Sequence, residues 1–394
     1  MRICHVCNGH LVDDVRVFHR ACCELARAGY EVHLLAQGKE TKTYEENGVI
    51  IHPLPEPGSS WQRHARASRV AQLAADLRPD LFHVHEPDLL GPVISRAGSR
   101  PVIYDVHESY LDLLNETASM PTWIRPFVRI AWDQWERRLV RRCAGVVTVT
   151  EMIAKRYANL NKNVCVVANF PDWQSMDELS PVQRDGATCV MAGTLSPSRG
   201  LPMIFRALAL LKQRGLTVRL SLAGNASEDY LLSLWSEAEG LGVRQQVEYH
   251  GILSKEEAML FQKKADIGLV TYQPLLYCMN SLPNKLLECM SLGVPVVYSN
   301  FPNYREIAET AGAGIMVDPT VPEQIAEAIE TLVRNPDLAR RMGEAGKRAV
   351  RERFNWGVER GKLLRLYQEV LGPLDRKGFF RQNPVEEVTQ RSNL

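Results

Sequence analysis

Asn280-Ser-Leu-Pro-Asn-Lys-Leu-Leu-Glu288-Cys-Met-Ser-Leu-Gly293-Val-Pro295-Val-Val297 holds one amphipathic helix and the start of one strand. Pro283 suits the first turn of that helix, where its missing N–H and fixed φ cost nothing. The apolar run Val294–Tyr298 that follows reads as a buried strand. Outward from this unit the same alternation fills most of the chain, and it is the pattern of βαβ units in a parallel sheet. Toward the N-terminus it predicts strands at Ile3–Cys7, Glu31–Ala36, Val49–His52, Leu81–Val84, Val102–Asp105, Val146–Val149 and Val164–Val167. A helix over Val15–Ala28 is the clearest of those between them, with Val17, Cys22, Leu25 and Ala26 on one face and Gly29 to stop it. In the second half strands are predicted at Thr188–Ala192, Thr217–Leu222, Val247–Tyr249, Ile267–Val270, Val294–Tyr298 and Gly314–Val317. A last helix covers about Val358–Leu371.

The periodicity fails over a stretch rich in Pro, Asp and Ser. This divides the chain into a first domain (1–170), a linker (171–186), a second domain (187–356), a helix (357–372) that follows the last strand, and a charged tail (373–394) poor in large apolar residues. The fold class is therefore α/β, with two doubly wound parallel-sheet domains facing a central cleft. Ligands of such sheets bind beyond the carboxyl ends of the strands, so chemistry is sought in the residues just after each strand.

The 394 residues are 45% hydrophobic and 24% charged with a formal net charge of +1, ordinary values for a globular protein. That balance gives no global field for nucleic acid, which is not an expected partner. Nine cysteines, most in apolar runs, fit free thiols in a reducing cytosol. Met1-Arg2-Ile3 leads into a strand without a signal-peptide pattern, and no apolar run reaches the ~20 residues that span a bilayer.

Several post-strand residues carry chemistry. Backbone N–H groups at the helix start near Pro283 form an anion site, to which Lys285 adds a cation. Glu288, one turn on, accepts bonds from two vicinal hydroxyls; the plainer reading is that Lys285 and Glu288 are a solvated pair. In Ala192-Gly193-Thr-Leu-Ser-Pro-Ser-Arg199, Gly193 admits close backbone approach and Arg199 can fork onto a diphosphate, unless this is an ordinary turn with a surface arginine. His107 follows the strand Val102–Asp105 and can hydrogen-bond a sugar hydroxyl, stabilise charge near the anomeric carbon, or serve as a structural histidine. His83, His85, Glu86 and Asp88 look like a metal set but are unspecific, and no metal is expected. Cys4 and Cys7 match C-x-x-C, yet within one strand they face opposite ways. Gly9 and His10 sit in a loop that would meet the acceptor or the leaving phosphate, followed by Asp13, Asp14 and Arg16.

Pro121–Gly145 carries six arginines against Asp133 and Glu136, with Trp123, Phe127, Trp132 and Trp135 among them. This composition suits peripheral contact with an anionic membrane. In the other reading the aromatics face the core and the arginines face water.

Together these stretches resemble glycosyltransferase family 4, the group 1 retaining enzymes of GT-B architecture, from Arg2 to about Leu371. The resemblance is carried by Pro283–Val297, by Val-Ile-Tyr-Asp-Val-His107-Glu, by Asp14-Val-Arg16-Val and by Phe354-Asn-Trp356. It is closest to members that assemble bacterial surface polysaccharides. It implies a nucleotide-sugar donor as co-substrate, no other cofactor, and a glycan or lipid-linked acceptor; the basic Trp-containing stretch points to the cytoplasmic membrane face for the latter. His107 would contact the donor sugar, Glu288 the ribose, and Arg199 and Lys285 the diphosphate. Gly9, Gly193, Thr194, Ser281 and Leu282 would lie along the donor, and Gly251 and Ile252 would border the base, expected to be uracil. The first acid of the family's E-x7-E signature falls at Asn280, whose amide still bonds a sugar hydroxyl. Thr194 stands where the family often has Arg. Those two departures also fit a non-catalytic nucleotide-binding or scaffold protein. A nucleotide-sugar epimerase of the same architecture is a further alternative.

Overall fold

The computed structural model describes residues 1–108, 110–111, 121, 123–173, 187–282 and 284–372. Pro283, the side chain of Asn280, most of the expected linker and the expected tail lie outside this set.

Among the described residues two sheets form. The first comprises β1 (Arg2–Leu11), β2 (Glu31–Gln37), β3 (Tyr44–Glu46), β4 (Val49–Leu54), β5 (Leu81–Val84), β6 (Val102–Val106), β7 (Gly145–Thr148) and β8 (Val164–Val166). Their spatial order is β3-β4-β2-β1-β5-β6-β7-β8, parallel apart from the β3–β4 hairpin. The second comprises β9 (Thr188–Ala192), β10 (Arg219–Ala223), β11 (Val247–Tyr249), β12 (Ile267–Val270), β13 (Val296–Ser299) and β14 (Gly314–Val317), all parallel in the order β11-β10-β9-β12-β13-β14. Strand order reverses at β1/β5 and at β9/β12, the two places where a doubly wound sheet opens a crevice.

Helices cover both faces of each sheet, so the strands are near-continuous apolar runs. Cys4 packs in the core under one face of the first sheet and Cys7 in the core under the other, as their spacing predicts. The C-terminal helix (Trp356–Leu371) returns from the second domain to the first. Its Trp356, Leu363, Leu366 and Tyr367 pack with Ile3, Val17, Phe18 and Leu25. Burying each such side chain contributes roughly 1.5–3 kcal/mol. The Trp356 amide donates to the Pro171 carbonyl at 3.0 Å, and the Glu359 carboxylate accepts from the Ala168 amide at 2.8 Å.

Three local expectations change. The helix expected at Val15–Ala28 begins as a π-helical run, Val15–Cys22, and continues as α-helix over Cys23–Arg27. Asp14 caps it, accepting from the amides of Arg16 and Val17 at 2.9 and 2.8 Å. The wider turn buries Arg16, Val17 and Phe18 side by side. The strand β3 was not anticipated; it hairpins onto β4 through Asn47-Gly48, whose φ values of 51° and 77° suit a tight turn of the primed type. The strand expected from Val294 starts at Val296, because Pro295 has no N–H for the ladder.

Candidate active site

Each half of the site grows from a strand-order reversal. In the second domain Gly193, Gly224 and Gly251 follow β9, β10 and β11 with φ of 116°, 137° and 68°, conformations that L side chains rarely adopt. The Gly224 amide donates to the Gly251 carbonyl at 2.7 Å, and a Cβ on Gly224 would sit 1.9 Å from the Gly193 carbonyl oxygen. Three loops therefore pack backbone to backbone. A Cβ on Gly193 would meet the Lys285 side chain at 3.4 Å. Lys285 Nζ lies 2.6 Å from Glu288 Oε2, which also accepts from Gln262 Nε2 at 3.0 Å. The pair expected from spacing thus exists, but it is part-buried and a third group holds it. Arg199 donates from Nε to the Thr194 carbonyl at 3.1 Å, and its guanidinium lies over the Tyr272 ring. Gly193, Thr194, Arg199, Lys285 and Glu288 form one patch beyond β9 and β12. Ile252 is exposed beside Gly251, the Ser281 hydroxyl donates to the Cys278 carbonyl at 3.3 Å, and Leu282 lines a cavity of about 240 Å³ between the domains. Asn284–Ser291 is the helix that carries Lys285 and Glu288.

The first domain contributes histidines and acids. His107 follows β6 and is 12% exposed, with Nε2 3.3 Å from Asp105 Oδ2 and 3.1 Å from His85 Nδ1. Asp105 is buried and takes a two-point contact from Arg16, Nη2–Oδ1 at 2.8 Å and Nε–Oδ2 at 3.2 Å. Burial opposes ionisation of Asp105, but Arg16 and His107 outweigh it and hold the carboxyl well below the usual carboxylate range. Arg20, one turn further along the same helix, has its pKa lowered to about 10 by burial and by Arg16, while the charge of Glu288 acts on it in the opposite sense.

Gly9 behaves differently from expectation. The amides of Asn8, Gly9 and His10 all donate to the Glu86 carboxylate, at 3.0, 2.6 and 3.0 Å. Gly9 and His10 are not in the loop expected after Cys7, because β1 runs on to Leu11, and their amides are engaged by a side chain just after the neighbouring strand β5. Asp88 accepts from Asn8 Nδ2 at 2.8 Å, so both acids of the candidate metal set are directed at this end of β1. His83 and His85 instead join His5. The roles of Asp105, Arg20, Glu86 and Tyr367 were not read from the sequence. The motif Asp14-Val-Arg16 was the one pointer to the Arg16–Asp105 pair.

The arginine-rich segment forms the helix Arg125–Val140, in which Glu136 and Val140 are the buried residues. Trp123 is 73% exposed, Phe127 69% and Ile130 57%, and Arg129, Arg138, Arg141 and Arg142 are exposed beside them. The reading in which the aromatics face the core is corrected for Trp123 and Phe127, whereas Trp132 is half-buried against Tyr110 and Trp135; Arg156 pairs with Asp133 and Glu136 at 2.9 and 2.5 Å.

Two doubly wound domains with apposed post-strand loops define the GT-B class of glycosyltransferases. Residues 15–175 match the model of Glycosyltransferase Family 4 and residues 176–349 that of Glycosyl transferases group 1. The chain belongs to glycosyltransferase family 4, among the group 1 glycosyltransferases. It is 24% identical over 364 residues to a phosphatidyl-myo-inositol mannosyltransferase of Mycobacterium leprae, covering 88% of this chain and 90% of that one. It is 26% identical over 341 residues to the GDP-mannose-dependent alpha-(1-6)-phosphatidylinositol monomannoside mannosyltransferase of Mycolicibacterium smegmatis, covering 81% and 83%. The fold is shared with HepE of Anabaena, solved in complex with UDP, at a TM-score of 0.72 and 15% identity over 93% of this chain and 99% of that one.

Proposed function

We propose that this glycosyltransferase moves a sugar from a nucleoside diphosphate donor held by the second domain to a hydroxyl of a glycan or lipid-linked acceptor held by the first, with anomeric configuration retained. The supporting observation is the patch at the β9/β12 reversal, where Gly193, Arg199, Lys285 and Glu288 meet. Cleavage of the donor gives an oxocarbenium-like centre and builds negative charge on the departing diphosphate. Arg199 and Lys285 stabilise that charge, the work a metal ion does in other transferases. Glu288 accepts from the ribose hydroxyls, Gly251 and Ile252 border the base, and Ser281 and Leu282 lie toward the sugar, a hydroxyl of which is assigned to Asn280 on the sequence resemblance alone. His107 bonds the donor sugar from the opposite domain. The departing phosphate oxygen takes the proton of the incoming hydroxyl on the same face, so no separate base is required.

For the base, uridine is the expectation from the sequence. Guanosine is a second reading, favoured by the likeness to a relative named as GDP-mannose-dependent. The exposed Trp123, Phe127 and Ile130 among arginines favour an acceptor presented at an anionic membrane, and nine free cysteines favour its cytoplasmic face. No helix among the described residues is long and apolar enough to cross a membrane, so contact would be peripheral. The test is release of nucleoside diphosphate from UDP- and GDP-sugars with membrane lipid extract as acceptor, repeated with EDTA. Release that requires acceptor and survives EDTA supports the reading. Donor conversion without acceptor would replace it with the epimerase reading, and loss of release with EDTA would overturn the metal-free step.

A further inference from the structure

Behind His107 lies a closed set of buried groups that donor binding does not explain. His5 on β1 and His83 on β5 are register partners, and His85 follows two residues on. All three are fully buried. Starting from His107 Nε2, His85 Nδ1 lies at 3.1 Å, and His85 Nε2 then lies 2.9 Å from His5 Nδ1. His5 Nε2 lies 3.3 Å from the Tyr367 hydroxyl, which also hydrogen-bonds His83 Nδ1. Tyr367 belongs to the C-terminal helix and is itself fully buried.

A metal ion is the first alternative, since His5, His83 and His85 bring their nitrogens within reach of one another. The rings argue against it. His83 and His85 stack at 4.7 Å with planes 5° apart, and His5 stacks on His83 at 4.6 Å and 27°. Lone pairs lie in the ring plane, so stacked rings send them side by side rather than to one point. Most of the nitrogens are also already engaged: His85 Nε2 with His5 Nδ1, and His5 Nε2 and His83 Nδ1 with the Tyr367 hydroxyl.

Proton direction along the chain follows from Asp105. Its carboxylate is ionised beside Arg16 and can only accept. The nitrogen closest to Asp105 Oδ2 among the histidines is His107 Nε2, so that atom carries the proton. His85 Nδ1 is then bare, and His85 donates from Nε2 to His5 Nδ1. In turn His5 donates from Nε2 to the Tyr367 oxygen, and the tyrosine proton goes to His83 Nδ1. The reverse sense also bonds every link, with His85 Nδ1 in place of His107 Nε2 donating toward Asp105; the shorter Nε2–Oδ2 distance, 3.3 against 3.5 Å, selects the first sense, which faces His83 Nε2–H to Asp105 Oδ2 at 3.8 Å and leaves His107 Nδ1 bare for a ligand. Burial, reinforced by neighbouring imidazoles, keeps His5 and His83 neutral and pushes His85 down to about 3. The groups around His107 are Asp105 on its own strand, His85 from β5, His10 from the end of β1 with ring centres 4.6 Å apart, and Asp14 and Arg16 from the first helix.

We propose that Tyr367 is a positioning residue for His107: through His5 and His85 it fixes the Nε2–H tautomer, so that His107 accepts a hydrogen bond from the donor sugar through Nδ1. This rests on the reading of His107 as a donor contact. The helix that crosses back from the second domain thereby sets the hydrogen-bonding sense of a first-domain residue. Without the hydroxyl, His5 loses its acceptor and is free to take Nδ1–H. That forces His85 to donate from Nδ1 toward Asp105 and releases His107 to Nδ1–H.

The test is nitrogen-15 NMR of the imidazoles in the full chain, wild type against Tyr367→Phe, with His107 assigned by loss of its signals in His107→Ala. Expected are a single Nε2–H tautomer in the wild type and an appearing Nδ1–H fraction in Tyr367→Phe. Turnover in Tyr367→Phe should fall roughly tenfold with an altered pH profile and little change in donor KM. His5→Leu, which cuts the chain on the other side of His85, should reproduce both effects. An unchanged His107 tautomer in Tyr367→Phe overturns the proposal, as does stoichiometric zinc in the purified protein that His5→Leu removes. Wild-type turnover in His107→Ala would remove the donor-contact reading, while the NMR result would still decide the tautomer.

Discussion

The guanidinium carbon of Arg199 lies 4.0 Å from the centre of the Tyr272 ring. Arg199 belongs to the loop after β9 and Tyr272 to the loop after β12, so the contact spans the reversal of strand order in the second domain. An arginine stacked on an aromatic face has its fork held in one plane, which lowers the cost of ordering it on a diphosphate. Arg199→Ala is expected to lower kcat about 10²–10³-fold, as removal of a group that stabilises developing charge does elsewhere, with urea unfolding unchanged. Tyr272→Phe keeps the ring and should stay near wild type.

Glu288 is held by Lys285 at 2.6 Å and by Gln262 at 3.0 Å, leaving its second oxygen for hydroxyls. Glu288→Ala should weaken donor binding about 10–100-fold, the worth of one or two charge-assisted hydrogen bonds. Isothermal titration with the nucleotide measures this. An unchanged affinity would mean that Lys285 and Glu288 are only a structural pair.

Two glycines make a contrasting pair. Gly224→Ala drives a Cβ into the Gly193 carbonyl at φ +137° and should cost about 3 kcal/mol or more while disordering the donor loops. Gly251→Ala meets nothing within 4 Å and pays only for its φ of +68°, about 1 kcal/mol. Urea melts of both variants check the difference.

Stability should fall with acid well above the carboxylate range. His5, His83 and His85 have folded pKa values depressed by burial, whereas the unfolded chain takes up protons below about 6.5. Their contribution is complete above that pH and is lost as pH falls. His10 opposes them: burial lowers its pKa, Asp14 and Glu86 outweigh this, and its contribution is lost as pH rises. His52, lowered to about 4 by burial and by His33, adds to the three, and four histidines against one predict a protein less stable at pH 5 than at pH 7. Urea midpoints at the two values measure it.

Flotation with vesicles containing anionic lipid should retain the wild type at low salt and release it at high salt. Trp123→Ala with Phe127→Ala should reduce binding even at low salt, because those side chains supply the exposed apolar contact. Absence of binding by the wild type would discard the membrane reading.

Much of this architecture was legible because buried parallel strands are unbroken apolar runs. Those at Leu81–Val84, Ile267–Val270 and Gly314–Val317 fall where expected. The π-helical start of the first helix was not, since it depends on Arg16 reaching Asp105, 89 positions away. Nor was the histidine set, whose Tyr367–His83 contact spans 284 positions. Periodicity reports which face of an element is apolar; it carries nothing about which buried polar groups meet. The hairpin at Asn47-Gly48 was readable from its turn dipeptide and was missed because β3 is only three residues long. In the candidate site, glycine and charge after each strand pointed to loops that the second domain brings together, while the capture of the Gly9 amide by Glu86 joins positions 77 apart and leaves no periodic signal.

The most direct measurement is a thermal shift of the wild type and of Arg199→Ala against UDP, GDP, ADP and their common sugar conjugates. At a hundredfold excess over Kd a ligand adds about 2.7 kcal/mol, which for a chain of this size raises Tm by roughly 3 °C. The account predicts such a rise with one nucleotide family in the wild type, and its loss in a folded Arg199→Ala. No rise with any nucleotide, or an equal rise in both proteins, would contradict it.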